Sequence, residues 1–291
     1  MNRGDRREDI FRDDQDRQQW LKTLGEACAK TGWNVHAYCL MSNHFHLVVE
    51  TPQANLVDGM KWFLGTYTSR FNRRHKLFSH LFSGRYQALV VDGSSNGYLG
   101  TVGTYVHLNP ARAKLLKLEQ PLRDYRWSSY REYLAKPAQR PKWLRVDRLF
   151  GDSGIPKDSP AGRRHFESVM EERRRKDDPE SFKLVGRGWC LGDDDFRREL
   201  LEEMGGKLGP HHGGSERQEI AEARAERLLR EEMAKRGWGD GEMEQRRKGD
   251  GEKIKIARRL RAQTTMSWAW IAERLRMGAA GYAANCVRVA K

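Results

Sequence analysis

A predicted β-hairpin constrains the fold of this chain more than any other feature of its sequence. Residues 33–40 and 44–50 are short apolar segments, rich in the β-branched and aromatic side chains typical of strands. Only the three residues Met41-Ser42-Asn43 separate them. A connection this short joins antiparallel neighbours. We therefore expect two paired strands with a tight turn between them.

The second predicted strand places two histidines on one side of the sheet. His44 and His46 are two residues apart, so their side chains point to the same face, while Phe45, Leu47 and Val49 point to the other. Two imidazoles that converge on one spot suit a divalent metal ion. Paired histidines also occur as ordinary surface or packing residues, so the pair alone leaves both interpretations open.

Amphipathic helices flank the hairpin. The spacing of apolar residues predicts helices over residues 12–31, 56–72 and 98–108, and Asn109-Pro110 is expected to end the third. A further strand is expected over residues 85–92. The order of helix, strand, strand, helix, strand and helix is typical of a ferredoxin-like α+β sandwich that lacks its first strand.

The opening segment, residues 1–11, reads as the loop that leaves a strand, with the strand itself missing. We expect the true start to lie upstream of Met1. The alternative is a domain that is compromised as written.

The remaining chain differs in its composition and predicted structure. We predict an α+β domain over 1–120, a compact aromatic extension over 121–150, a charged helical linker region over 151–250 and an all-α unit over 251–291. In the last unit Ser267 can cap one helix and Gly278 can make a tight turn to the next, which is the helix-turn-helix pattern of DNA-binding proteins. An ordinary three-helix packing unit is the alternative.

Charge favours a polyanionic partner. The net charge is +14, and residues 1–149 contain 24 Lys and Arg against 14 Asp and Glu, whereas residues 150–291 contain 30 against 26. A surface this basic attracts nucleic acid, although some proteins are basic without such a partner. No apolar run approaches the roughly 20 residues of a membrane span and no signal peptide is evident. We expect a cytoplasmic protein without a membrane partner, whose four separated cysteines are reduced, buried thiols.

A phenol and an amide complete a possible catalytic group. Tyr105 and Asn109, in GTYVHLNPARA, are four residues apart and share a helix face. Separately, Asn109 would read as the N-cap of a helix that begins at Pro110, and Tyr105 as a packing aromatic. Together with His44 and His46, the Asn109 oxygen could complete a site for Mg²⁺ or Mn²⁺. A metal-polarised phosphate would then be open to attack by Tyr105, which would form a phosphotyrosine bond and release a 3′-hydroxyl.

These residues carry a resemblance to a known family. His44-Phe45-His46 resembles the His-hydrophobic-His motif of the HUH single-strand endonucleases, and MSNHFHLVVE, GRYQALVVD and YVHLNPARA, in that order, resemble the REP-associated tyrosine transposases. The similarity covers roughly residues 1–150. It implies a ferredoxin-like domain that nicks and transfers single-stranded DNA hairpins. Tyr105 is then implied as the nucleophile, and His44, His46 and Asn109 as the metal ligands.

Other residues are weaker candidates. Arg70, Arg73, Arg74 and Arg85 could contact DNA phosphates or merely form a solvated basic face. Tyr98 could compete with Tyr105 as the nucleophile. The chain could also be a catalytically inactive hairpin-DNA-binding regulator, or a hydrolytic nuclease without a covalent step. Whether it acts as a monomer or a homodimer stays open.

Overall fold

The structure is a computed structural model that describes residues 1–82, 84–94, 97–117, 119–176, 182, 185, 190–205, 215–239 and 241–289. The chain divides into two compact units. The first comprises residues 1–28, 33–50 and 65–210, and the second comprises residues 29–32, 51–64 and 211–291.

The strands are β1 (Asn2–Arg3), β2 (Asn34–Leu40), β3 (His44–Glu50), β4 (Val90–Val91) and β5 (Cys190–Leu191). The helices from the start of the chain to the end of the first unit are α1 (Asp14–Thr31), α2 (Leu56–His75), α3 (Tyr98–Arg112), α4 (Tyr130–Leu134), α5 (Asp147–Asp152), α6 (Pro160–Lys176) and α7 (Asp194–Gly205). The helices that follow are α8 (Ser215–Lys235), α9 (Glu242–Gln245), α10 (Gly251–Gln263), α11 (Trp268–Arg274) and α12 (Ala280–Val289).

A three-stranded antiparallel sheet forms the centre of the first unit, in the order β1-β3-β2. The predicted hairpin is confirmed: β2 pairs with β3, with Cys39 opposite His46 and Leu40 opposite Phe45. Phe45 is fully buried, as expected from its side of the strand, whereas Leu47 and Val49 are only half-buried.

An aromatic core lies on the Phe45 side of the sheet. The rings of Trp20 on α1 and Phe45 on β3 lie 4.9 Å apart, and Phe11 contacts both Trp20 and Tyr67. Trp20, Leu24, Ala27 and Cys28 recur at helical spacing, and all are buried. These contacts place the apolar stripe of α1 against one face of β3 and leave the histidine face to other elements.

The predicted absence of an opening strand is corrected in part. Asn2 and Arg3 form a short strand that pairs antiparallel with β3, opposite Phe45 and His44. The backbone continues this attachment, because Gly4 N–H donates to the Asn43 carbonyl at 2.8 Å. An open edge of β3 offers unpaired backbone groups, and even two residues of extended chain satisfy some of them.

The predicted strand over residues 85–92 is mostly wrong. Only Val90–Val91 is a strand, and it pairs in parallel with β5 in a separate two-stranded sheet. The earlier part of the segment lies at the edge of the first sheet, where the backbones of Gln87 and Met1 exchange hydrogen bonds. Because β1 already lies along β3, this segment cannot pair with β3 directly.

The predicted break at Asn109-Pro110 is also wrong. Pro110 lies within α3, which continues to Arg112. A proline removes one backbone hydrogen bond, and here it does so within a few residues of the helix end. Asn109 is therefore a residue of the helix interior, and its interpretation as the N-cap of a new helix does not hold.

A second aromatic cluster occupies the region after α3. His107 is buried among the rings of Tyr130, Tyr133 and Phe166, at centroid distances of 5.7, 5.0 and 6.2 Å. The Tyr133 hydroxyl donates to the His36 carbonyl at 2.6 Å, which ties this cluster to β2. The cluster includes Tyr130 and Tyr133 together with His107 and Phe166, which lie outside residues 121–150, so the aromatic extension over 121–150 stays a prediction.

The second unit contains a helical core of its own. Its fully buried members include Ile256 and Leu260 on α10, Ile271 on α11 and Ala283 on α12. The Ser267 hydroxyl caps α11 by accepting from the Trp270 N–H, and Gly278 adopts a φ of +85° in the turn before α12. The three closing helices, the cap and the turn are confirmed as the sequence predicted.

Two further expectations concern the whole chain. Cys28, Cys39, Cys190 and Cys286 are free, and the first three are buried. None of the described helices has both the length and the apolar character that a membrane span needs. The domain boundaries at residues 120, 150 and 250 stay predictions.

Candidate active site

The two histidines of β3 form the base of the candidate site. The rings of His44 and His46 lie 5.1 Å apart, nearly perpendicular, and both are half-buried. Burial is the main reason that the pKa of His44 falls to about 4 and that of His46 to about 3; the next largest causes are the charge of Arg3 for His44 and the other histidine for His46. Both rings are therefore neutral at physiological pH, which is the form that binds a metal ion.

Asn43 fixes the orientation of His44. The Asn43 side-chain oxygen lies 2.8 Å from His44 Nδ1, and its amide nitrogen donates to the Arg7 carbonyl at 3.0 Å. With the amide oxygen as acceptor, His44 carries its proton on Nδ1 and keeps the Nε2 lone pair available. A hydrogen bond to the distal nitrogen is the usual support of a metal-binding histidine.

Helix α3 brings a tyrosine to the same place. The Tyr105 ring centroid lies 5.6 Å from that of His46, at an interplanar angle of 81°. The helix sits close to α5 at Gly103, where an added Cβ would fall 2.2 Å from Leu149 Cδ2. Val102 and Val106 are buried, so the half-buried Tyr105 lies on the edge of the helix that meets the histidines.

Asn109 lies one helical turn after Tyr105 on the same face of α3. The side chain is half-buried and forms no hydrogen bond with a described residue. This leaves its amide oxygen free to serve as a hard donor.

Two further side chains surround the Tyr105 ring. The guanidinium carbon of Arg112 lies 5.3 Å from the ring centroid, and the Phe182 ring lies 5.7 Å away on another side. Arg112 also lies 5.0 Å from the Phe182 ring, so the three groups form one stack. A cation over a phenol ring favours negative charge on it, and an aromatic neighbour limits its rotation.

The four arginines expected to contact DNA differ in their surroundings. Arg70 donates to Glu26 and Thr23, and Arg74 forms ion pairs with Asp13 and Asp16. Arg73 and Arg85 are exposed, and neither forms an ion pair with a described residue. Arg70 and Arg74 thus have structural partners that a phosphate would have to displace.

Sequence reasoning overlooked three residues near the site, namely Arg3, Asn43 and Arg112. Asn43 stands directly before the first histidine, where the sequence predicts only a turn. Arg112 follows Tyr105 by seven residues, two helical turns, and was missed because α3 was expected to end before it. Arg3 becomes evident only from its cross-strand pairing with His44, and no sequence signal marks it.

The donor set fits a hard divalent cation. Two neutral imidazoles and an amide oxygen leave coordination positions open, which suits Mg²⁺ or Mn²⁺ better than a closed structural zinc site. Within the described part of the chain, no three His, Cys, Asp or Glu side chains are grouped so as to hold a metal. A metal ion bound here would therefore need the amide oxygen of Asn109 as its third protein ligand.

Comparison with known families supports the interpretation of this region. Residues 1–109 match the family model described as IS200-like transposase. The match covers 109 of the 291 residues and includes both histidines and Tyr105. It supports the transposase family for this part of the chain. Comparison with curated proteins found no match, and comparison with solved structures found none either.

Proposed function

We propose that this chain is a metal-dependent DNA nickase and strand transferase of the REP-associated tyrosine transposase type, acting on single-stranded hairpins. One observation carries the proposal: the ring of Tyr105 lies 5.6 Å from that of His46, beside the paired His44. A phenol from a helix thus meets two imidazoles of a strand at a half-buried surface. Their convergence, within the region that matches IS200-like transposases, is what a nucleophile beside a metal site requires.

His44, His46 and Asn109 would hold the Mg²⁺ or Mn²⁺. The ion would neutralise charge on the scissile phosphate and polarise it toward attack. The chain's own contribution is to keep both imidazoles neutral by burial and to fix His44 through Asn43. Both features make the site ready for the ion before it binds.

Tyr105 would perform the covalent step. Its hydroxyl oxygen attacks the phosphorus, the bond from phosphorus to the 3′ oxygen breaks, and a 5′-phosphotyrosine bond forms. The phenol loses its proton to solvent, and the departing 3′ oxygen gains one, so charge and atoms balance. The energy of the broken phosphodiester stays in the tyrosine ester and is available for strand transfer. Arg112, over the ring, would favour the negative charge that develops on the phenol oxygen.

The partner in this proposal is single-stranded or hairpin DNA, with no membrane involved, and the cytoplasm is its location. The basic charge of the first 149 residues supports a polyanionic partner. The catalytic region would be a ferredoxin-like domain, and α11 and α12 would act as a helix-turn-helix that adds DNA contacts. A monomer and a homodimer are both compatible with this assignment.

A covalent-adduct assay tests the proposal. Wild-type protein is incubated with Mn²⁺ and a 3′-labelled hairpin oligonucleotide, because the fragment on the 3′ side of the cleaved bond is the one that stays on the tyrosine, and the products are separated on a denaturing gel. We expect a protein-linked DNA band that requires the metal and is absent with Tyr105→Phe. Tyr98→Phe is the matched control, because it removes the other phenol of α3 and should leave the band intact.

Two other outcomes would reject the proposal. DNA binding without cleavage would favour the inactive hairpin-binding regulator. Cleavage that survives Tyr105→Phe would favour a hydrolytic nuclease in which the histidines act without a covalent step.

A further inference from the structure

A basic cleft lies beside the candidate active site. It has a volume of about 310 Å³, and the arginines Arg3, Arg6, Arg7 and Arg85 contribute to its walls. No Asp or Glu of the described residues lines it. The volume is at the lower end of the roughly 300–1,000 Å³ found for ligand clefts. Four guanidinium groups around one cleft without a carboxylate indicate an anionic ligand.

The charges in this cleft are not neutralised by the protein. Arg3, Arg6, Arg7 and Arg85 form no ion pair with a described residue, in contrast to Arg70 and Arg74 on α2. The Nε of Arg3 is buried without a hydrogen-bond partner, and so is the side-chain amide nitrogen of Asn2, a residue that is 3% exposed. Buried donors are normally satisfied, so the orphaned Nε of Arg3 indicates a missing acceptor on the His44 face of β1, whereas the Asn2 side chain lies on the Phe45 face.

The backbone of the cleft wall is held in an unfavourable conformation. Arg6 and Arg7 have φ values of +49° and +64°, in the left-handed region that residues with a Cβ rarely adopt. The Asn43 amide donates to the Arg7 carbonyl, and the Asp5 N–H donates to the Leu81 carbonyl at 3.0 Å. Two consecutive arginines are thus fixed in a turn that the surrounding structure enforces. Such strain is concentrated at functional sites.

The cleft adjoins the histidines. Arg3 is paired with His44 across β1 and β3, so the two side chains lie on the same face of the sheet. Asn43 connects the two places directly, because its side chain bonds both to His44 and to the backbone of Arg7. A strand whose phosphate sits at His44 and His46 would therefore run past Arg3.

We propose that this cleft binds a phosphodiester of the single-stranded DNA next to the scissile phosphate, with Arg3 and Arg85 as its principal ligands. The inference rests on the proposed function and adds to it the path that the DNA strand takes across the protein. Acceptor oxygens of the phosphate would satisfy the unpaired Nε of Arg3. Backbone contacts of this kind position the strand and carry no sequence information.

Binding without chemistry tests the cleft. Affinity for a fluorescein-labelled single-stranded oligonucleotide is measured by anisotropy in the Tyr105→Phe background, in EDTA and at several salt concentrations. We expect Arg3→Gln and Arg85→Gln each to weaken binding about tenfold and to reduce the salt slope by about 0.7, the value for one lost phosphate contact on a single strand. Arg164→Gln, which removes an exposed arginine on α6 that has no ion pair with a described residue, is the control and should change affinity less than twofold.

Neutral phosphates locate the contact. A methylphosphonate is placed at one position of the strand at a time. In the parent protein one or two positions should weaken binding most, and in Arg85→Gln the loss at those same positions should be smaller, because only the contact with Arg3 then remains to be lost. Arg85 is exposed, so its variant is expected to fold even if Arg3→Gln does not.

The inference is overturned if both cleft variants lose no more affinity than Arg164→Gln, or if the loss at the sensitive positions is as large in Arg85→Gln as in the parent protein. Because these measurements use no metal and no nucleophile, they remain readable if wild-type protein forms no covalent adduct. A failed adduct assay with a positive cleft would reject the nickase and keep the DNA site.

Discussion

His46 on β3 and His107 on α3 are both neutral histidines, yet their surroundings give them opposite roles. Burial lowers the pKa of each to about 3. His107 is enclosed by Tyr130, Tyr133 and Phe166, and its Nε2 is 2.9 Å from the Ser129 hydroxyl. His46 is half-buried, forms no hydrogen bond with a described residue, and faces Tyr105 and a second histidine.

The difference teaches that a perturbed pKa does not by itself identify a functional histidine. Both rings lose their positive charge for the same reason, which is removal from water. What distinguishes His46 is that a second histidine of β3 and a phenol from α3 lie beside its ring, which itself forms no hydrogen bond with a described residue. His107 has packing partners on several sides and a hydroxyl partner, so it serves the core.

The largest expected effect separates these two histidines. His46→Ala should reduce the rate of adduct formation by at least about 10³-fold, because it removes a ligand of the ion that neutralises the phosphate. Its free energy of unfolding should change by less than about 1 kcal/mol, since the ring is half-buried at a polar surface. Rates are read from the adduct gel, and stability is read from urea unfolding.

The matched variant is His107→Ala. It should cost about 3 kcal/mol of unfolding free energy, because it leaves a cavity among aromatic rings and removes the hydrogen bond with the Ser129 hydroxyl. The folded fraction should retain adduct formation within about threefold. If His107→Ala abolishes the chemistry in folded protein, or His46→Ala unfolds the chain, the contrast between the two sites is wrong.

A smaller effect is expected for variants of Asn43. Its hydrogen bond to His44 distinguishes that histidine from one that only packs against its neighbours. Asn43→Ala should weaken Mn²⁺ binding about 10- to 100-fold, because His44 loses the acceptor that fixes its tautomer and orientation. Asn43→Asp keeps an acceptor for Nδ1 and loses only the donor to the Arg7 carbonyl. It should therefore retain most of the affinity, measured by titration with Mn²⁺; equal losses in both variants would show that the contact to Arg7 matters instead.

The smallest effect concerns acid sensitivity. In the unfolded chain His107 titrates near its ordinary value of about 6.5, whereas in the folded protein its pKa is about 3. Between these values the unfolded state binds a proton that the folded state does not, so stability is complete above about pH 6.5 and falls as the pH is lowered toward 3.

His107→Gln should remove this contribution, which amounts to at most about 1.4 kcal/mol per pH unit for one group. Urea unfolding at pH 6.5, 5.5 and 4.5 measures it. The variant is expected to be less stable at pH 6.5 and to lose less stability on acidification. Parallel pH dependences of wild type and variant would mean that His107 is protonated in the folded state.

Much of the fold was predictable because it follows local patterns. The hairpin, the helices that begin at Leu56 and Tyr98, and the helix capped by Ser267 all follow from apolar periodicity and turn chemistry. The strand predicted over residues 85–92 was mostly wrong. Its sequence pattern is strand-like, but tertiary contacts decide which strands it can pair with. The predicted helix end at Pro110 was wrong because a proline near the end of a helix is less disruptive than one in its middle.

The candidate site was predictable only where a motif lies within a few residues of chain. The spacing of His44 and His46 fixes their common face, and that of Tyr105 and Asn109 fixes theirs. Their convergence depends on how α3 packs on the sheet, which no local pattern encodes. Arg3 and Asn43 escaped notice for the same reason: their importance arises from cross-strand pairing and from hydrogen bonds to residues distant in sequence.

Mapping the covalent bond tests the central claim most directly. Wild-type protein is incubated with Mn²⁺ and a hairpin oligonucleotide, digested with protease and nuclease, and the modified peptide is fragmented in a mass spectrometer. The account predicts a nucleotide attached through a 5′-phosphate to the oxygen of Tyr105. A nucleotide on Tyr98, or cleaved DNA with no nucleotide on the protein, would contradict it.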